Sequence, residues 1–194
     1  MPNLKITREQ VIRAAAEAVR KGGTAGLNAR SVAGELGCST QPVYSQFKGM
    51  EELKRSLKEE AVRLYREKIE AYISESGRSR YEAFGMGFVK FAREEKGLFR
   101  FLYFSERTEA GPPRVEDPFL EDIIGEMKTA YGMDEARARE FHRDMGVFSF
   151  GLAVLANAGA ESTDGEVEES LRREFYALYA LYFPERPPLK GKGE

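Results

Sequence analysis

Apolar positions recur at three- and four-residue spacings along most of this chain, and no stretch alternates apolar with polar residues. That period belongs to amphipathic helices, so the predicted fold is all-α. Val11, Ile12, Ala15, Ala18 and Val19 make the first stripe, with Thr7 as its cap and Gly22-Gly23 as its stop, which predicts a helix to about Lys21. Val32, Ala33 and Leu36 make a short second stripe, opened by Asn28 and closed by Gly37, where positive φ is needed. Ser39 is the expected cap of a third helix, with Pro42 in its first turn and Val43 and Phe47 facing inward. Leu53, Leu57, Val62, Leu64, Tyr65, Ile69 and Tyr72 predict one long helix from Gly49 or Met50 to about Glu75, broken at Gly77.

The second half is richer in aromatics. Tyr81, Phe84, Phe88, Phe91, Phe99, Phe101, Tyr103 and Phe104 fall in a region that Lys96-Gly97 divides into two predicted helices. Residues 106–118 read as a loop, and a helix is expected from about Pro118 to Tyr131, ended by Gly132. Asp134 is placed to cap another helix reaching about Ala158. After a turn at 162–165, a last helix is expected from about Glu166 to Tyr182, with 184–194 as a flexible tail.

Length and composition narrow the class. A chain of 194 residues allows one or two helical domains with a proper core. No run reaches the roughly 18–20 apolar residues of a membrane span; the longest, Met145–Ala158, follows the charged Arg143-Asp144. The opening Met-Pro-Asn-Leu-Lys lacks a signal peptide's apolar run, and the single cysteine allows no internal disulfide, so a cytoplasmic location is expected. The net charge of −2 conceals an asymmetry. Residues 1–58 hold ten Lys/Arg against five Glu, a net +5 that leaves −7 for the rest. A basic end on an acidic chain is the distribution expected of a protein with one nucleic-acid face.

The two short helices around Gly37 fit that face. Thr40, Gln41, Tyr44, Ser45 and Gln46 are left on the outside of the second, making a helix-turn-helix of the kind that enters the DNA major groove. Gln pairs with adenine N6/N7, and Thr touches the thymine methyl. Cys38 is expected to fill a small apolar slot in the turn.

Thr7-Arg8-Glu9-Gln10-Val11-Ile12-Arg13-Ala14-Ala15, Val32-Ala33, Leu36-Gly37-Cys38-Ser39, Val43-Tyr44-Ser45-Gln46-Phe47 and Met50-Glu51-Glu52-Leu53 together resemble the TetR/AcrR family of transcriptional regulators. The resemblance implies a helix-turn-helix domain over 1–49, a helical effector-binding and dimerisation domain over 50–183, joined by the long helix, and a tail over 184–194. It implies that Tyr44 bonds a phosphate and that Thr40, Gln41 and Gln46 reach base edges or nearby phosphates. Ser39 and Ser45 share that face, while Arg30, Asn28 and Lys5 supply further contacts. The family commonly carries a phosphate-holding Lys where Met50 stands, which puts that contact in question; Lys48 is the nearby substitute.

The resemblance also implies a small, largely apolar effector held between helices of the second domain. Phe88, Phe91, Phe99, Tyr103, Phe141, Met145 and Phe148 are candidate walls, with His142 and Arg143 as polar handles. Small residues such as Gly146 and Gly151, together with Leu152, Leu155, Leu171, Phe175, Leu178, Tyr179 and Tyr182, suggest a homodimer closed by four helices. A two-fold dimer would address an inverted-repeat operator in double-stranded DNA. The alternative is a constitutive or protein-controlled repressor without a small ligand. One His and one Cys supply no Ser-His-Asp set and no metal motif, so no catalysis, metal or cofactor is expected.

Overall fold

A computed structural model describes residues 6–105, 117–160 and 162–186. Among them are nine α-helices and no strand, as the periodicity requires: α1 (Arg8–Gly22), α2 (Ala29–Leu36), α3 (Gln41–Gln46), α4 (Met50–Ser76), α5 (Arg80–Glu94), α6 (Lys96–Phe104), α7 (Leu120–Tyr131), α8 (Glu135–Ala158) and α9 (Asp164–Tyr182). The chain falls into two compact units, Met1–Glu67 with Glu95–Val115, and Lys68–Glu94 with Glu116–Glu194. The expected loop falls mostly outside the described residues, as does the tail from 187 onward.

Local chemistry sets most helix ends. Thr7 and Gln10 form a reciprocal capping box at α1, with the Gln10 N–H donating to Thr7 Oγ1 at 3.2 Å and the Thr7 N–H to Gln10 Oε1 at 2.8 Å. Asn28 Oδ1 accepts the Ser31 N–H at 2.9 Å, and Asp134 Oδ1 accepts that of Arg137 at 2.9 Å. Gly37, Gly132 and Gly159 close α2, α7 and α8 in the left-handed region, at φ 65°, 62° and 96°.

Four local expectations differ from what is found. Ser39 caps nothing: α3 starts one residue later behind Thr40, whose helical φ −71° and ψ −12° keep its hydroxyl from bonding back to the helix. Cys38 is half-buried, its thiol donating to the Ser39 carbonyl at 3.2 Å rather than filling an apolar slot. The α5/α6 break falls at Glu95, with Gly97 inside α6. Helix α9 begins at Asp164, because Thr163 and Glu166 make a second capping box there. The sequence reading also missed a 3-10 turn over Gly23–Gly26, where a Cβ on Gly26 would collide with the Ala18 carbonyl.

In the first unit the core joins Val11, Ala15 and Val19 of α1 to Val32, Ala33, Val43, Phe47, Leu53, Leu57 and Tyr65. Helix α6 packs directly on α1, adding Leu98, Phe99, Phe101 and Leu102. Gly97 permits that approach: a Cβ there would overlap the Val19 carbonyl oxygen and lie 2.8 Å from Arg20 Cα. The adjoining Glu95 carboxylate accepts from Arg20 Nε at 2.8 Å, and Glu17 also pairs with Arg20.

In the second unit α5 lies against α8 and α9, and α7 against α8. The buried Asn157 amide donates to the Ala92 carbonyl at 2.9 Å, tying α8 to α5. Tyr81, Phe141 and Phe175 form a ring cluster with centroids 5.2–6.5 Å apart. Arg186 covers the end of α7, donating to the Tyr131 carbonyl at 2.6 Å and the Gly132 carbonyl at 3.1 Å. Among the described residues no helix is long and apolar enough to cross a membrane.

Gly97→Ala is expected to destabilise the protein by about 1–3 kcal/mol, because α6 must be pushed off α1. Gly125→Ala, in open space on α7, is expected to stabilise it by about 0.5–1 kcal/mol through helix propensity. Denaturant melts of the two variants check both signs.

Candidate nucleic-acid interface

Helix α3 turns Val43 inward, 1 % exposed, and Tyr44 outward, 59 % exposed. Gln41 and Ser45 are exposed beside Tyr44, and Thr40 is half-buried at the helix start. Ser45 Oγ donates to the Pro42 carbonyl at 2.9 Å, which leaves its lone pairs facing out as acceptors. Ser39, Asn28, Arg30 and Lys48 are exposed as well, so the predicted contacts from the α2 start to the α3 end all belong to the first unit. Lys5 lies outside the described residues.

Gln46 differs from the others. Its amide is turned toward the chain's beginning and donates to the Ile6 carbonyl at 2.9 Å. Its own carbonyl accepts from Arg8 Nη1 at 2.8 Å. Arg8 was not among the predicted site residues. The missing signal is distance along the chain, since its partners lie 38 and 48 positions away.

The charges sort in the same direction. Lys21 pairs with Glu35, Arg20 with Glu95 and Glu17, Arg8 with Glu52, and Arg63 with Glu60 and Glu67. The Arg8 guanidinium and the Lys48 backbone N–H, which is the larger influence, hold the Glu52 carboxyl below its usual range. Arg13, Arg30, Lys48, Lys54, Arg55 and Lys58 have no carboxylate within ion-pair distance among the described residues. Polar side chains on a short exposed helix can hydrogen-bond base edges, and cations elsewhere on the same unit can meet phosphates.

The residues predicted for an effector divide between the units. Phe99 and Tyr103 sit in the first, their rings 4.9 Å apart on α6. Phe88, Phe91, Phe141, His142, Met145 and Phe148 sit in the second. Phe88, Phe91, Phe141 and Met145 are buried, while His142 and Phe148 are half-buried. His142 Nε2 lies 3.4 Å from Asp117 Oδ2, and its ring faces Tyr81 and Phe84 at 6.1 and 6.2 Å. Its Nδ1 is buried without a hydrogen-bond partner, and so is Glu126 Oε2. The other Glu126 oxygen accepts the Tyr81 N–H at 3.2 Å. Burial raises the Glu126 carboxyl above its ordinary value, against the lowering effect of that bond. Sequence reasoning missed Glu126, since one acid on a charged helix carries no mark of burial.

The residues predicted for a dimer divide too. Gly151 and Leu155 are exposed, and Leu152, Phe175, Leu178 and Tyr182 are half-buried. Leu171 and Tyr179 are 8 % and 5 % exposed, so they serve the interior of the second unit and leave little surface for a partner. Val147 and Leu181, each 72 % exposed, were not predicted and extend the apolar surface of α8 and α9.

No protein-family model and no curated protein matches the chain. Among the described residues no cluster of His, Cys, Asp and Glu could hold a metal ion.

Replacing Glu126 by Gln tests whether its burial is costly. A carboxyl with a raised pKa favours the folded state below its usual 4.5, and that contribution is lost as pH rises through the folded value. Glu126→Gln is therefore expected to melt higher than the parent at pH 7, with the advantage vanishing below about pH 4. Thermal melts across that range check the sign.

Proposed function

We propose that this chain is a TetR-like, homodimeric, sequence-specific DNA-binding transcriptional regulator. In this reading it is a repressor that releases an inverted-repeat operator when a small, largely apolar effector occupies the second unit. The observation that carries the proposal is the outward polar face of α3, where Gln41, Tyr44 and Ser45 are exposed, in the same unit as Arg30 and Lys48, which are exposed too. Exposed Val147, Gly151, Leu155 and Leu181 support the dimer, because a surface of this kind is stabilised by covering it.

Two features of the second unit favour different forms of control. The buried, unpartnered polar atoms of His142 and Glu126 favour an effector that brings polar groups on an apolar body. The tightly packed Tyr81–Phe141–Phe175 rings favour the second reading, a constitutive or protein-controlled repressor whose second unit is filled by its own aromatics.

Selection of bound duplexes from a random library tests the DNA proposal, with recovery of an inverted repeat as the expected outcome. Binding without any enriched sequence, from protein refolded free of small molecules, would sink it. On the selected operator, Lys48→Ala is expected to lower the slope of log K against log salt by about 0.9 per subunit contact. Leu155→Arg is expected to yield monomers in sedimentation and to weaken operator binding at least tenfold, roughly 1.4 kcal/mol.

A further inference from the structure

We propose that Arg8 and Gln46 are positioning residues that fix the direction of α3, and that neither reads DNA. This rests on the DNA-binding function proposed above. A helix of six residues has few internal hydrogen bonds, and its last carbonyls have no partner within the helix. Arg8 Nη1 supplies one, at 2.8 Å from the Gln46 carbonyl oxygen. The same guanidinium donates through Nη2 to Ser56 Oγ at 3.0 Å, pairs with Glu52 Oε1 at 3.0 Å, and lies 4.0 Å from the centre of the Phe47 ring. One planar group at the start of α1 thus holds the end of α3 against the start of α4. Glu52 extends the arrangement, since its second oxygen accepts the Lys48 N–H at 2.8 Å. The Gln46 amide closes it from the other side by donating to the Ile6 carbonyl.

A lysine cannot replace this fork. Its ammonium could keep the Glu52 pair, but it lacks the flat, divergent donors that reach three acceptors and stack on a ring. Because the Arg8 donors point at α3 and α4, its loss acts on specificity through the angle of Thr40, Gln41 and Tyr44. The committed Gln46 amide, likewise, selects no base.

Two measurements test this on the full-length protein. Hydrogen exchange without DNA is expected to show faster exchange of the α3 amides in Arg8→Lys, with α1 and α2 protection unchanged. Unaltered α3 exchange would overturn the positioning role whatever the protein binds. The second measurement uses the selected operator, its single-base variants and a scrambled duplex. Arg8→Lys and Gln46→Ala are expected to weaken operator binding about tenfold or more while leaving the scrambled duplex unaffected, consistent with losing one charge-assisted hydrogen bond. Discrimination should fall at several base positions together. Relaxation at one position alone in Gln46→Ala would make Gln46 a base-reading residue and overturn its part. A drop of about 0.9 in the salt slope on the scrambled duplex in Arg8→Ala would make Arg8 a phosphate contact and overturn the other. Failure of the parent protein to select any sequence would instead remove the DNA function, and the exchange result would still decide whether Arg8 orders α3.

Discussion

Six residues make fewer than two turns, so α3 owes its shape and direction to its surroundings. Val43 supplies its one buried apolar contact, and Phe47 closes it from below. Everything else that fixes it comes from other elements: the Gly37 turn before it, the Arg8 guanidinium at its end and the start of α4. The outward side chains are thereby relieved of structural work. Tyr44 is exposed because Val43 and Phe47 suffice to bury the inner face, and the polar neighbours of Tyr44 follow it outward by the helical period.

What was legible in the sequence is what depends on residues four positions apart or fewer. Thr7, Asn28 and Asp134 were read correctly as caps, and Gly37 and Gly132 as stops, because a cap is an oxygen within reach of the next turn and a stop is a residue that tolerates positive φ. Ser39 shows where that logic fails: Ser and Thr are adjacent, both suit a cap, and only the backbone angles of Thr40 decide the start. The α9 start was misplaced although the Thr163–Glu166 box was written in the sequence. The expected turn over 162–165 takes in the cap and the first helical residues.

The long-range features carried no such mark. Gly97 looked like a break between helices, yet it lies inside α6 at a close approach to α1. Phe99 and Tyr103 belong to the first unit, whereas the resemblance groups them with Phe88 and Phe141 as effector walls. Leu171 and Tyr179 show the same ambiguity. An apolar stripe on a last helix serves a partner or the protein's own interior equally well, and burial separates them from Val147, Leu155 and Leu181. The α3 face was legible because polar residues on a short helix declare themselves; Arg8 and Glu126 were not, because charged residues near helix ends are ordinary until their partners are known.

Control of α3 by a ligand, in the proposed regulator, requires that a change in the second unit reach the first through the chain itself. Helix α4 gives one continuous route, since its 27 residues contribute to both units without a break. The junction between α5 and α6 gives another, and it is narrow. Glu95 alone separates the two helices, and its carboxylate is held by Arg20 at the end of α1. A ligand drawing on the buried polar atoms of His142 and Glu126 would act on α7 and α8, with α5 packed against both. In that regulator, Glu95 is the residue that follows α5 in the chain, and its Arg20 partner lies on α1, whose first residue is Arg8. Coupling of this kind in other proteins amounts to about 1–3 kcal/mol, the size of one or two charge-assisted hydrogen bonds. In the proposed regulator, the bonds of Arg8 and Arg20 at opposite ends of α1 are of that size.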